Sequence, residues 1–538
     1  MTATNKALLA AMGLLIGFAL YVDFRVAFWG DQDWELLVAQ MWLAGKKLYV
    51  DHVPVTAPLL FYLYALPVLL SEHLHFIEDY QALVLLTSAG IAGAVMLCLR
   101  LMALHPGFDT TVRRVQFAML LCLLLGVRIA APFFGDREHL CILLTLPYLL
   151  RWMPTLSHAA LKSRLRLFIG AMAAVGFFLK PHCLLLFLAV QLVCIVPTGS
   201  FRILKSPENI IIYLFGLLYG AWIWFFTPQY LTEVLPIAYF TYSAVRGSPG
   251  GLYALALSVL LTFAMLRPVR RSPYRSDIYY FMALLPFYYL YALINNGWAY
   301  AYQPLMTVLL LTNGFVLWEF LYLKCTSQKA AWTPIFGVAA CLINFALETG
   351  YAIDFDVAAA TQRCIGDRSC PGYYQPLIDE VRKAPGARSF GTIGMDFALW
   401  TRVSKLAGAE WVTRFPQLWM LPRLYIADDA YYKDHRGIFS YAANALAEDL
   451  ERNKPDIVFV EVSRTLYTIR LQKPVDWAGD LSGVPAFRDA LEHYALARTI
   501  DNCTMLSPDE EAITARPKQP GARLKETNCR YDVYRRIK

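Results

Sequence analysis

Apolar residues fall in blocks of roughly 15 to 25 along the first two thirds of the chain, the length a helix needs to cross about 30 Å of hydrocarbon. The blocks predict spans over residues 8–24, 79–100, 115–132, 139–152, 167–180, 183–198, 209–227, 251–266, 277–294, 302–323 and 331–349, about eleven transmembrane helices. Strand-like alternation of apolar and polar positions is absent, which excludes a membrane β-barrel. Beyond residue 351 the pattern changes. Ile457–Val460 is a short continuous apolar run entered from the turn Lys454-Pro455-Asp456, as in a buried strand. Ser389–Gly394 reads as another strand, and helical stretches over 441–452 and 484–494 lie around them. The expected architecture is an α-helical polytopic membrane domain over 1–351, with an outer loop at 25–78, followed by a small α/β domain over 352–538.

Composition agrees. The chain is 57% hydrophobic and only 17% charged, against about 25% charged in an ordinary soluble domain. The net charge of +8 does not point to nucleic acid, because its placement follows the membrane. Basic clusters at 100–114, 151–166, 202–205, 267–275 and 324–329 fall between predicted spans, and loops with such an excess stay on the cytoplasmic side. This puts the N-terminus inside and the C-terminal domain outside, in the periplasm of a bacterial inner membrane. Residues 1–21 resemble a signal peptide, but no small-residue cleavage site follows, so the first span is read as retained. Ala57–Leu70 is left out of the spans. It has only about 14 residues and contains Pro58 and Pro67, and counting it would turn every basic loop outward; it reads as a helix along the outer interface.

Cysteines give an independent check. Cys364, Cys370, Cys503 and Cys529 all lie beyond the last predicted span. An even number in one exposed domain fits disulfides in an oxidising compartment, Cys364–Cys370 with Cys503–Cys529 being the simplest of three connectivities.

Candidate chemistry concentrates at the outer ends of spans. Asp31, Asp33 and Glu35 follow the first span, and a helix starting at Asp31 puts Asp31 and Glu35 on one face. A second acidic cluster, Gly135-Asp136-Arg137-Glu138-His139, follows the third. Each has two readings: a helix cap with acids favoured by the dipole, or a working carboxylate. Lys180-Pro181-His182 turns between the fifth and sixth spans, where Lys180 is either snorkelling or set for a phosphate. Lys46, Lys47, His52 and Arg246 add outer cations, and Asn295–Tyr300 forms a polar, aromatic outer turn. Gly391–Asp396 has neither the Walker lysine nor a third dinucleotide glycine, so it reads as a strand-to-helix turn. An outward cleft with carboxylates and cations at the lipid boundary is what a transferase using a lipid-phosphate sugar needs. A base takes the acceptor proton and cations stabilise the departing phosphate.

Asp31, a helix of about 14 residues ending at Gly45, Tyr49-Val50-Asp51 and the Pro58-led helix resemble the first outer loop of the GT-C glycosyltransferases. The nearest branch is that of the bacterial aminoarabinose transferases and protein O-mannosyltransferases. The resemblance implies transfer of a hexose or pentose from a polyprenyl-phosphate donor to a glycolipid, polysaccharide or protein acceptor, with inversion. It implies that Asp31 is the base or organises a metal, and that Asp136 and Glu138 form the second acidic site, with Asp33 as a helper. Lys180 matches an occasional Lys-Pro element; with His182, Arg246 and Lys46 it is expected to hold the donor phosphate. A divalent cation on Asp31, Asp136 and Glu138 is a further expectation, since some members need one. The chain departs from the pattern in having Asp31-Gln32 in place of Asp-Glu, and Ala57 where a second proline is usual. The rival readings are a transporter or flippase of lipid-linked glycans, against which stand sparse mid-span acids and the lack of an internal repeat, and a glycan polymerase.

Overall fold

The computed structural model describes residues 3–25, 31–129, 133–156, 161–242, 274–295, 299–326, 375–384, 386–395, 400–426, 435–462, 465–466, 469–470, 475–501 and 530–537. By packing, the chain forms two compact units. One comprises Met1–Phe28, Tyr62–Phe225 and Arg246–Ile365; the other comprises Trp29–Phe61, Phe226–Val245 and Gly366–Lys538.

The first unit is helical. Its helices are α1 (Ala3–Arg25), then, after α2 (Asp31–Leu43) of the other unit, α3 (Pro58–Leu74), whose first residues fall in that other unit, α4 (Asp79–Met102) and α5 (Thr111–Cys122), which runs on as a π-helical turn to Val127. α6 (Arg137–Arg151), α7 (Ser163–Phe178), α8 (Cys183–Thr198) and α9 (Pro207–Phe226) follow. After α10 (Leu235–Tyr242), again of the other unit, come α11 (Arg275–Ile294) and α12 (Gln303–Thr326). Every predicted span that falls on described residues coincides with one of these helices; 251–266 and 331–349 lie outside the described residues. Among the described helices α4, α9 and α11 are long and apolar enough to cross a membrane, and Gly13–Phe24, α3 and α8 are shorter apolar helices.

Small residues let the helices approach. A Cβ on Gly176 of α7 would sit 2.8 Å from Thr145 Cγ2 and 3.0 Å from Leu144 Cβ of α6, so glycine sets that spacing. Polar pairs lock the loops read as cytoplasmic. Glu208 of α9, fully buried, takes Arg151 at 2.9 Å and Arg166 at 2.8 Å. Asp277 takes His105 Nε2 at 2.7 Å. Because His105 Nδ1 accepts the Gly107 amide, the proton sits on Nε2 and the ring donates to Asp277.

The second unit is an α/β fold on a five-stranded sheet of order β2-β1-β3-β7-β6. Here β1 is Ser389–Ile393, β2 Glu410–Trp411 and β3 Ile457–Glu461; a small hairpin, β4 (Thr465–Leu466) and β5 (Ile469–Arg470), stands apart, and β6 is Tyr494–Asp501 and β7 Arg530–Arg536. β1 runs parallel to β2 and β3, with Gly391 opposite Val458, while β7 is antiparallel to β3 and β6. The two predicted strands are β1 and β3. The helix predicted over 484–494 stops at Leu491, and Tyr494 opens β6 instead, where pairing with β7 overrides local preference.

The outer loop 25–78 does not stay whole with the membrane helices. Leu37 of α2 belongs to the core of the α/β unit, beside Leu377, Phe390, Trp400 and Phe459, with Met41 packed against it. Trp34–Ala39 are buried all round α2, and the helix Trp400–Ala407 packs against it, so α2 is covered rather than left in water. The four cysteines expected to form disulfides lie outside the described residues.

Candidate functional site

In the first unit the site is built on the N-terminus of α6. Gly135 takes φ +80°, a conformation glycine adopts without penalty, and its amide donates to His139 Nδ1 at 3.0 Å while its carbonyl accepts from Tyr64 Oη at 2.9 Å. His139 in turn donates from Nε2 to the Leu125 carbonyl at 2.8 Å. This frame fixes where α6 begins. Asp136 is its N-cap, accepting the Arg137 amide at 2.5 Å, so the capping reading holds for that residue. Glu138 is different. It is 1% exposed, and its Oε1 accepts from Lys180 Nζ at 2.9 Å. Burial raises its pKa, but Lys180 and Arg137 outweigh burial and hold the carboxyl below its ordinary value. The Tyr300 ring lies under both cations, 5.4 Å from Lys180 Nζ and 6.0 Å from Arg137 Cζ, within cation–π reach. The structure thus brings together Glu138 and Lys180 and adds Tyr300 from the aromatic turn, while Asp136 stays with the cap. His182 is exposed on the same turn as Lys180, and Arg246 lies outside the described residues.

In the second unit Asp31 and Asp33 are the half-buried first-turn acids of α2, where the helix dipole favours negative charge. Glu35, one turn on, is fully buried and accepts from Thr56 Oγ1 at 3.0 Å. The Tyr-x-Asp step is a strained, tied loop. Tyr49 has φ +64°, its amide donates to the His52 carbonyl at 2.6 Å, and its hydroxyl donates to the Thr56 carbonyl at 2.5 Å. A bulky residue holds that conformation only where its surroundings over-determine it. Burial pushes the His52 imidazole down to about 4. Asp51 accepts from Arg452 at 3.4 Å. Lys46, expected to hold phosphate, is exposed and lies 3.9 Å from Glu410.

Sequence reasoning missed Thr56 and Tyr291. Thr56 carried no signal, being an ordinary polar residue before a proline-led helix; Tyr291 is one of many aromatics on α11. Among the described residues no three His, Cys, Asp or Glu side chains converge as a metal site. Glu138 already meets Lys180 and Asp136 caps a helix, so the expected cation set fits these residues poorly and no step is derived through a metal.

The fold is a many-helix unit with a buried acid–lysine pair at one helix start, joined to a small mixed-sheet unit. Among solved structures, the fold is similar to ArnT from Cupriavidus metallidurans in the apo state, at 12% identity and a TM-score of 0.50, over 86% of this chain and 93% of that one. The same protein bound to undecaprenyl phosphate matches at 13% identity and a TM-score of 0.43, over 76% of this chain and 85% of that one. The likeness is one of fold. No family model matches the chain, and no curated protein matches it in sequence.

Proposed function

We propose that this chain is an integral-membrane glycosyltransferase that moves a sugar from a polyprenyl-phosphate donor to a cell-envelope acceptor on the periplasmic face. The observation that carries the reading is the buried Glu138–Lys180 pair with Tyr300 under the lysine, set in a GT-C-like fold. Lys180 is 18% exposed at its side chain, so its ammonium keeps a solvent-facing side for an anion while Glu138 Oε1 holds the other. It is the cation for the departing lipid phosphate, and Tyr300 offers an aromatic surface for a sugar ring. Asp31, accessible at the start of α2, is the base that takes the acceptor hydroxyl proton. Direct displacement at the anomeric carbon then gives inversion.

The test is transfer from synthetic polyprenyl-phosphate sugars to an envelope extract. Asp31→Asn is expected to insert and fold normally and to lose at least 100-fold in turnover, the usual scale for a general base; unchanged turnover removes Asp31 from that role. A second reading, a flippase for lipid-linked glycans, draws on Glu319 of α12, which is 1% exposed with neither oxygen hydrogen-bonded among the described residues, since buried acids in membrane helices mark translocation paths. Translocation of the labelled lipid without transfer would favour it.

A further inference from the structure

Glu138 presents its two oxygens differently. Oε1 accepts from Lys180, while Oε2 is buried and, among the described residues, has no hydrogen-bond partner. Tyr291, fully buried on α11, brings its hydroxyl to 3.5 Å from Oε1. A second polar neighbour is the Cys183 thiol at the start of α8, 3.7 Å away, with Cys141 beside both. A buried tyrosine hydroxyl needs an acceptor, and a carboxylate is a far better one than a thiol sulfur. The directions then follow: Cys183 S–H donates to Tyr291 Oη, and Tyr291 O–H donates to Glu138 Oε1. Asn295, one turn on, donates to the Tyr291 carbonyl at 2.9 Å and ties down the end of α11. Tyr291 and Lys180 thus converge on a single oxygen of Glu138, with Cys183 behind the tyrosine hydroxyl.

We propose that Tyr291 is a positioning residue for Glu138, acting with Lys180 to pin Oε1 so that Oε2 is the oxygen left to accept a hydroxyl of the bound sugar. The assignment of a sugar hydroxyl rests on the transferase reading; the pinning of Oε1 does not. Tyr291 touches no ligand itself. Its hydroxyl favours the charged carboxylate, fixes the rotation of the carboxyl group, and relays that constraint from α11 and α8 to α6.

Two measurements test this on the full-length protein in detergent. Infrared titration of the Glu138 carboxyl, assigned by the band that Glu138→Gln abolishes, is expected to move upward by about half to one pH unit in Tyr291→Phe, which keeps the ring and deletes only the oxygen. An unchanged titration overturns the proposal, whatever reaction the protein catalyses. In the transfer assay Tyr291→Phe is expected to lower kcat about tenfold with KM within twofold, the loss of one hydrogen bond to a charged group. An unchanged kcat beside a moved titration overturns the Oε2 role alone. If the wild type transfers nothing, the transferase reading fails, and the infrared result still decides the place of Tyr291.

Discussion

Replacing Lys180 by methionine isolates the Glu138–Lys180 pair. The two charges lie 2.9 Å apart, with side chains 1% and 18% exposed. At an effective dielectric of about 20 their attraction is about 6 kcal/mol, most of it offset by the several kcal/mol each ion loses on leaving water. The pair is therefore nearly neutral for stability, whereas removing one partner costs about 3–5 kcal/mol. In the wild type the Glu138 carboxyl sits below its ordinary value, so its contribution is full above about pH 4.5 and is lost as pH falls through the lowered folded value. In Lys180→Met the dominant influence becomes burial. The carboxyl shifts up, and the penalty is greatest at pH 8 and shrinks toward pH 5 as Glu138 takes a proton. At roughly 2 °C per kcal/mol for a unit of this size, thermal unfolding in detergent should fall by about 6–10 °C at pH 8 and by less than half of that at pH 5. Lys180→Met with Glu138→Gln should recover most of the loss, since a neutral amide needs no counter-charge. A penalty independent of pH, or a double variant no more stable than the single one, would refute the reasoning.

Three further outcomes follow from the geometry. With a folded value of about 4 against an ordinary 6.5, His52 stabilises above pH 6.5 and loses that contribution as pH falls toward 4. This amounts to about 3 kcal/mol, with Asp51, Lys46 and Arg452 as its charged neighbours, and His52→Gln should flatten the acid limb of the unfolding curve. Gly135→Ala forces an L side chain to φ +80° with its Cβ 3.2 Å from Leu83 and Thr87; a loss of at least about 1 kcal/mol and weaker transfer are expected, and a neutral substitution would show that the α6 start tolerates adjustment. Single cysteines near Gly135 and Arg271 should label from outside and inside respectively with a membrane-impermeant thiol reagent, after the native exposed thiols are removed; the reverse pattern would invert the topology read from the charges.

The positions of the apolar helices were legible in the sequence because crossing a bilayer is a local demand. Some 20 apolar residues meet it wherever they occur, and helices stand at each such block that falls on described residues. The strands at 389–393 and 457–461 were legible too, as continuous apolar runs bounded by turns. Strand β6 was not, because Tyr494–Asp501 is extended only through pairing with β7, some thirty residues further on, across a stretch with no strand signal. Asp136 and Glu138 looked alike as acids beside a glycine; their neighbours separate them, one capping α6 and the other buried against a lysine 42 residues away.

By itself, then, the sequence determined which segments are apolar enough to span, which side the basic loops prefer, and which residue types gather at helix ends. These follow from length, charge and local chemistry. Only the tertiary structure decided that Lys180 and Tyr291 share one oxygen of Glu138, although Tyr291 lies 153 residues from it, and that the helix carrying Asp31 buries Leu37 in the α/β core. Such choices turn on which surfaces cover one another once the chain is compact, and the energy of covering a buried charge or an apolar stripe depends on partners that no local pattern names.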